Sequence, residues 1–372
     1  MKIVIASVLK PLDDTRHYHK LAKTLAEVPD NEVHVLARQS KKEPTPEHPT
    51  IHFHSLLPVP YTSFQRSTAS FRFLRLVLQL EPELLIVCTH ELLLMATIAK
   101  YITGCRLVYD VQENYVLNIQ SNETYRGLKQ KTAAILVKIE ETWTRPFVDQ
   151  FWLAETCYLS ELAIPKDKAI VLQNKALSYR HVNPFTLKEK STISLLFTGT
   201  VAEETGIWEA FALTEQLHNA DPRFELHVRG CCHNRDLLRQ LEKTAASKPF
   251  VSFHVSTEPI PYSSIGQAIE KADIGFVLYR PQDNFQDKMP TKVFEYTAMG
   301  LGIVSSFTLL LTNFYKLYQN AVLFHNEKSH VDLLLNELNE KIFYPNENEP
   351  LAPLLWEAEK GRMLEAVNRL FA

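Results

Sequence analysis

The 372-residue chain has five cysteines, at positions 88, 105, 157, 231 and 232, and they make neither an even disulfide framework nor a CxxC pair. That usage points to a reducing cytoplasm, and the adjacent Cys231 and Cys232 read as plain thiols rather than a metal or redox site. Long hydrophobic runs are also missing. The longest, residues 84–99, is interrupted by His90 and Glu91 and is too short and polar to span a bilayer. The first residues, MKIVIASVLKPLDD, are apolar only briefly and show no small-residue cleavage site, so they read as a first strand rather than a leader. A formal net charge of -3 gives no footprint for nucleic acid. No GxGxxG follows the first strand, which disfavours a classical NAD domain. No repeat of solenoid length is present.

What remains is a globular composition, 45% apolar and 22% charged, on a chain long enough for two ordinary domains. Residues 2–8, 32–37, 51–55, 84–88, 107–110, 151–154 and 169–172 carry strand signals. Helical spacing appears at 16–26, and basic amphipathic helices at 64–80 and 125–143. The polar stretch 179–191 reads as a linker. Beyond it, strands are expected at 194–197, 225–228, 251–254, 274–278, 303–304 and 322–324, with helices from 206, at 235–246, 261–271 and 331–338, and at 356–371. This rhythm predicts parallel sheets with crossover helices. The expected divisions are 1–180, 190–350 and a terminal crossover helix over 351–372.

Residues 283–306, DNFQDKMPTKVFEYTAMGLGIVSS, concentrate the chemistry. Pro290 suits the first position of a helix and Gly300 the position just past its end. Lys292 and Glu295 lie three apart on one face. Asp287 precedes the helix by a few residues. A helix N-terminus with free N–H groups beside a lysine is suited to a diphosphate, and the two carboxylates to ribose and sugar hydroxyls. Upstream, Thr198-Gly199-Thr200 reads as a small-residue turn at a strand end, where Gly199 lets the backbone approach a phosphate.

PTKVFEYTAMG resembles the donor-binding signature of retaining GT-B glycosyltransferases, in particular glycosyltransferase family 4. Here the first acid is Asp rather than Glu, and Gly302 replaces a usual Pro. The resemblance runs in motif order along nearly the whole chain. Asp14 and Arg16 match an Asp-x-Arg that opens the first helix; the alternative is a capping Asp14 and a surface Arg16. Asp110-Val111-Gln112-Glu113 matches an Asp-x-His-Glu strand end, with Gln112 at the His position, where it can hydrogen-bond but cannot carry a proton. Thr205 stands where a cation is expected to meet the donor diphosphate. Lys292, Lys288 or Arg229 would have to compensate, Lys292 foremost.

The resemblance implies two facing Rossmann-like α/β domains with the donor in the cleft between them, and a terminal helix that crosses back to the first domain. It implies a metal-independent hexosyltransferase without cofactor, acting on a UDP- or GDP-sugar and a glycan or lipid-linked acceptor, with retention. Asp287, Glu295 and Gln112 are the implied catalytic residues. Gly199, Thr200, Thr205, Arg229, Met289, Pro290, Thr291 and Lys292 are the donor-binding set, and Asp14, Arg16, His90 and Glu113 the acceptor side. Residues 259–263 are the expected base pocket. The basic helices would rest on an anionic membrane at its inner face, or pack on the core with a solvated charged face. Two other functions stay open: a non-catalytic GT-B relative that binds a nucleotide-sugar or a partner enzyme, and a sugar-nucleotide epimerase.

Overall fold

The computed structural model describes residues 1–40, 44–59, 61–121, 128–280, 285–324, 331–343 and 351–372. They form two compact units, Met1–Asn174 with Glu359–Ala372, and Lys175–Ala358. The chain joins the second unit at Lys175, earlier than the linker composition suggests, because backbone pairing begins there. Ala176 donates to the Leu354 carbonyl and accepts from the Trp356 amide, and the Arg180 amide donates to the Ala298 carbonyl. The terminal helix Glu357–Phe371 counts with the first unit from Glu359 onward.

In the first unit, seven parallel strands lie in the order β3-β2-β1-β4-β5-β6-β7. They are β1 Lys2–Pro11, β2 Glu32–Arg38, β3 Ile51–Leu57, β4 Leu84–Val87, β5 Arg106–Val111, β6 Gln150–Leu153 and β7 Ala169–Val171. The central strands read as unbroken apolar runs because both faces of a parallel sheet are covered; all four residues of β4 are buried. The long apolar stretch after residue 84 divides at His90–Leu92 into β4 and a helix, Leu93–Thr103. That helix has no counterpart in the sequence reading, because its apolar residues lie on the inner and outer sides alike and blur the period. The same holds for Leu309–Tyr318.

The second unit has six parallel strands in the order β10-β9-β8-β11-β12-β13: β8 Ile193–Thr200, β9 Phe224–Cys231, β10 Val251–Ser256, β11 Ile274–Val277, β12 Gly302–Ser306 and β13 Ala321–Phe324. Chain order reverses between β8 and β11, as it does between β1 and β4 in the first unit. Open α/β sheets bind ligands beyond the carboxyl ends of the strands at such a reversal. Gly302, where the resembled pattern has proline, opens β12 against the Phe343 ring; a Cβ there would lie 2.6 Å from that ring and 2.5 Å from Ile274. Among the described residues no helix is long and apolar enough to cross a membrane.

Candidate active site

The helix Thr291–Ala298 is fixed against the ends of β8 and β11 by Tyr296. Its ring lies buried on Gly275 of β11, where a Cβ would fall 2.2 Å from the ring. Its hydroxyl lies 2.7 Å from the Thr198 Oγ1 and accepts the Thr198 amide at 3.1 Å. Pro290, expected as the first helical residue, is instead the cap before Thr291: its ψ of 137° is extended, so the helix begins one residue later. Gly300, at φ +76°, ends the element as expected and faces Val182 at a distance no side chain would allow.

This seat carries Lys292 into the interior. The residue is 7% exposed, and its Nζ has no hydrogen-bond partner. The ammonium lies 4.5 Å from the centre of the Phe197 ring and 5.3 Å from that of Tyr279. Burial lowers its pKa to about 8, against an opposing pull from the Glu295 carboxylate. Two aromatic faces recover part of the lost hydration, but a desolvated cation without a hydrogen-bonded anion remains costly. Glu295, equally buried, accepts a hydrogen bond from the Tyr262 hydroxyl, which in turn accepts from the Leu177 amide; burial, then the carboxylate, raises the Tyr262 pKa. Residues 259–263, read as a base pocket, thus meet the helix through Tyr262.

Thr198-Gly199-Thr200 is not a turn. β8 continues to Thr200 in register with Cys231, and Gly230 of β9 admits the approach, since a Cβ there would sit 1.9 Å from the Gly199 carbonyl. Gly199 has φ +93° and nothing within 4 Å of a built Cβ, so its outer side is open. The turn lies at 201–206, and Thr205 organises it: its hydroxyl meets the Thr200 and Ala202 carbonyls and the Ala202 amide. Thr205 is therefore occupied within its own loop. Gly206 closes the loop at φ +83°, with the Leu278 carbonyl 1.7 Å from a built Cβ. Gly206→Ala is expected to lower stability by roughly 3 kcal/mol or more, through overpacking and left-handed strain together. Gly199→Ala, strained but unobstructed, should lose roughly 1–2 kcal/mol. Urea denaturation of both variants checks the ordering.

Two further cations stand at these strand ends. Arg229 on β9 is in register with Thr198 and so shares its face of the sheet. Arg280, which the sequence reading passed over, hydrogen-bonds Glu209 at 2.7 Å, lies 3.5 Å from Glu203, and donates its amide to the Glu204 carbonyl. Asp287 is exposed in the turn before the helix, Met289 is buried, and Thr291 is the first helical residue. Asp283 lies outside the described residues.

The residues expected on the acceptor side lie in the first unit, near the ends of β1, β4 and β5, each with its own partners. Asp14 caps the Thr15–Ala22 helix, accepting the Arg16 and His17 amides. Arg16 is not at the surface: it is 2% exposed, bonded to both oxygens of the fully buried Asp110 and to the Leu172 carbonyl. Gln112 donates to Asp110 at 2.8 Å and lies 2.8 Å from His17 Nε2. Glu113 lies 3.7 Å from Lys10, and His90 pairs with Glu140 at 3.0 Å. His17, Cys88 and Asp110 bring three ligand atoms within 4.8 Å of one another. The Arg16 guanidinium already supplies the positive charge there, so the group reads as a buried ion pair rather than a metal centre.

No family model and no curated protein sequence matches the chain. Its likeness is three-dimensional. Sucrose-phosphate synthase from Thermosynechococcus elongatus aligns at a TM-score of 0.71 and 13% identity, covering 100% of this chain and 99% of that one. HepE from Anabaena, solved in complex with UDP and glucose, aligns at 0.63 and 12% identity, covering 99% and 100%. The fold is GT-B. The same architecture is shared by the UDP-GlcNAc 2-epimerase from Neisseria meningitidis bound to UDP-GlcNAc, at a TM-score of 0.57 and 12% identity, covering 99% and 100%. At such identities the likeness concerns architecture, and membership of glycosyltransferase family 4 does not follow from it.

Proposed function

We propose that the chain is a glycosyltransferase that moves a hexose from a nucleotide-sugar to a glycan or lipid-linked acceptor, with the donor's diphosphate held at Lys292. One observation carries this: an unpartnered, buried ammonium at the N-terminus of a helix, beside the strand-order reversal of a GT-B unit. Free N–H groups of the first helical turn and the lysine together stabilise negative charge as it grows on the departing diphosphate. Arg229 adds positive charge in place of the cation that Thr205 does not supply. Glu295 exchanges the Tyr262 hydroxyl for ribose hydroxyls, and the exposed Asp287 reaches the sugar. Retention is part of the reading. The test is turnover of UDP- and GDP-sugars by the purified chain, with the anomeric product read by NMR. Glu295→Ala should reduce turnover at least a hundredfold, since the paired ribose hydroxyls lose a charged acceptor. Donor converted without acceptor would favour the epimerase reading, and nucleotide binding without turnover the non-catalytic one.

We propose also that the first unit rests on an anionic membrane. Ten of the nineteen exposed large apolar side chains among the described residues lie on three helices of this unit, Ser63–Leu80, Leu93–Thr103 and Leu128–Thr144. On the middle helix Leu94, Ile98, Tyr101 and Ile102 recur at helical spacing and face outward, as do Ile135, Ile139 and Trp143 on the third. Exposed Arg75, Lys131 and Lys138 border them. An apolar face of this kind with a basic fringe suits an anionic headgroup layer, and two such faces would repel through their cations. Arg126 lies outside the described residues. Co-sedimentation with phosphatidylglycerol vesicles at low salt is the expected result, reduced at least fivefold by Tyr101→Ser with Trp143→Ser. No sedimentation would remove the proposal.

A further inference from the structure

At the outer edge of the first sheet, β2 and β3 place an acid and three imidazoles on one face. Glu32 and His34 alternate along β2, His52 and His54 along β3, and His34 is in register with His52. The His34 Nε2 lies 3.4 Å from Glu32 Oε1, and the His52 Nε2 lies 3.3 Å from the same oxygen. Four ligands arranged tetrahedrally at about 2.0–2.2 Å from a zinc ion lie about 3.3–3.5 Å apart, so both separations match a first coordination sphere. The other nitrogen of His34, Nδ1, lies 3.0 Å from His54 Nε2. When the Nδ1–H of His34 donates there, the Nε2 lone pair is left toward Glu32, as a supporting group leaves it in metal-bound histidines.

One fact argues that this arrangement awaits a cation. The His34 Nε2 is buried in a residue 5% exposed and makes no hydrogen bond. With the Nδ1–H given to His54, the Nε2 lone pair and a carboxylate oxygen face each other at 3.4 Å, an arrangement that a positive ion between them would stabilise. His52 and Glu32 are 45% and 46% exposed, which leaves a path from solvent. The three ligand atoms do not lie within 4.8 Å of one another as they stand, so binding requires the exposed His52 side chain to move toward His34, with water in the fourth position.

We propose that Glu32, His34 and His52 bind one divalent transition-metal ion of the zinc class, with His54 as the positioning residue behind His34. The site lies on the strand pair β2–β3, apart from the residues assigned to donor or acceptor, and an ion there would clip the edge strand to its neighbour. Imidazole and carboxylate ligands suit zinc, cobalt or nickel rather than magnesium or calcium.

The test uses the untagged full chain. Isothermal titration with zinc chloride should give one ion per chain, and cobalt should develop the visible d–d bands of a four- or five-coordinate site. Thermal unfolding should shift upward with metal, because an ion that binds only the folded chain stabilises it by mass action. Because His34 is buried, the informative variants are the exposed ones. Glu32→Gln and His52→Gln should each weaken zinc at least tenfold and together abolish the cobalt bands, whereas His54→Ala should weaken binding by roughly 10–100-fold. His181→Gln, an exposed histidine of the other unit, should change nothing. No saturable zinc binding below millimolar concentration would overturn the proposal, as would binding unchanged in the double variant.

Discussion

Replacing Lys292 with methionine is expected to stabilise the free chain while abolishing its affinity for a nucleoside diphosphate. The two effects have opposite signs because one charge is responsible for both. In the free chain the ammonium is buried with no anion in hydrogen-bond reach, and its pKa falls from 10.5 to about 8. A displacement of that size corresponds to roughly 3 kcal/mol of instability whenever the group is protonated. Methionine fills a similar volume between Phe197 and Tyr279 without the charge. The sign with pH follows. Between about 8 and 10.5 the unfolded lysine holds its proton and the folded one does not, so the parent chain gains stability as pH rises through that window. Below it the whole penalty applies. Lys292→Met should show a higher unfolding midpoint at pH 7 and no such gain in alkali. With the diphosphate bound, the ammonium makes charge-assisted hydrogen bonds in a dry site, and losing them should weaken affinity at least a hundredfold. Urea titrations at pH 7 and pH 10 and calorimetric binding measure the two halves separately.

The second large effect concerns Arg16 and Asp110, both essentially inaccessible to solvent. Asp110→Asn is expected to lower stability by about 3–5 kcal/mol, because it leaves the guanidinium buried without its counter-charge. Arg16→Met combined with Asp110→Leu should recover most of that loss, since replacing a whole buried pair by apolar groups is often neutral. A double-mutant cycle under urea measures the coupling. If the arginine instead served mainly to contact an acceptor, Asp110→Asn would cost under about 1 kcal/mol and act chiefly on acceptor KM.

Much of the architecture was legible in the chain. Val33, Val35 and their neighbours form recognisable strands, and Gly300 marks the end of the Thr291–Ala298 helix as its φ requires. Local pattern also placed Lys292 and Glu295 on one helical face. It could not reveal that the Lys292 ammonium makes no hydrogen bond and lies between Phe197 of β8 and Tyr279 beyond β11. The surface alternative for Arg16 could not be dismissed from sequence for the same reason, since its partner lies 94 positions away. The alternation Glu32-x-His34 and His52-x-His54 is visible in sequence, but only the register of β2 against β3 makes it a cluster. Thr198–Thr200 looked like a turn because its residues are small, whereas Gly230 on the adjacent strand keeps them in the sheet. Pairing across the fold, more than local propensity, decided each of these points.

The central claim is that the Lys292 ammonium is kept unpaired for a donor's diphosphate. Calorimetric titration of the chain with UDP, GDP and ADP at pH 8.5, in two buffers of different ionisation enthalpy, tests it directly. The expected result is selective binding of one nucleotide with uptake of part of a proton, as the diphosphate restores the lysine's charge, and loss of both in Lys292→Met. Binding of none of the three, or equal binding by parent and variant without proton uptake, would contradict it.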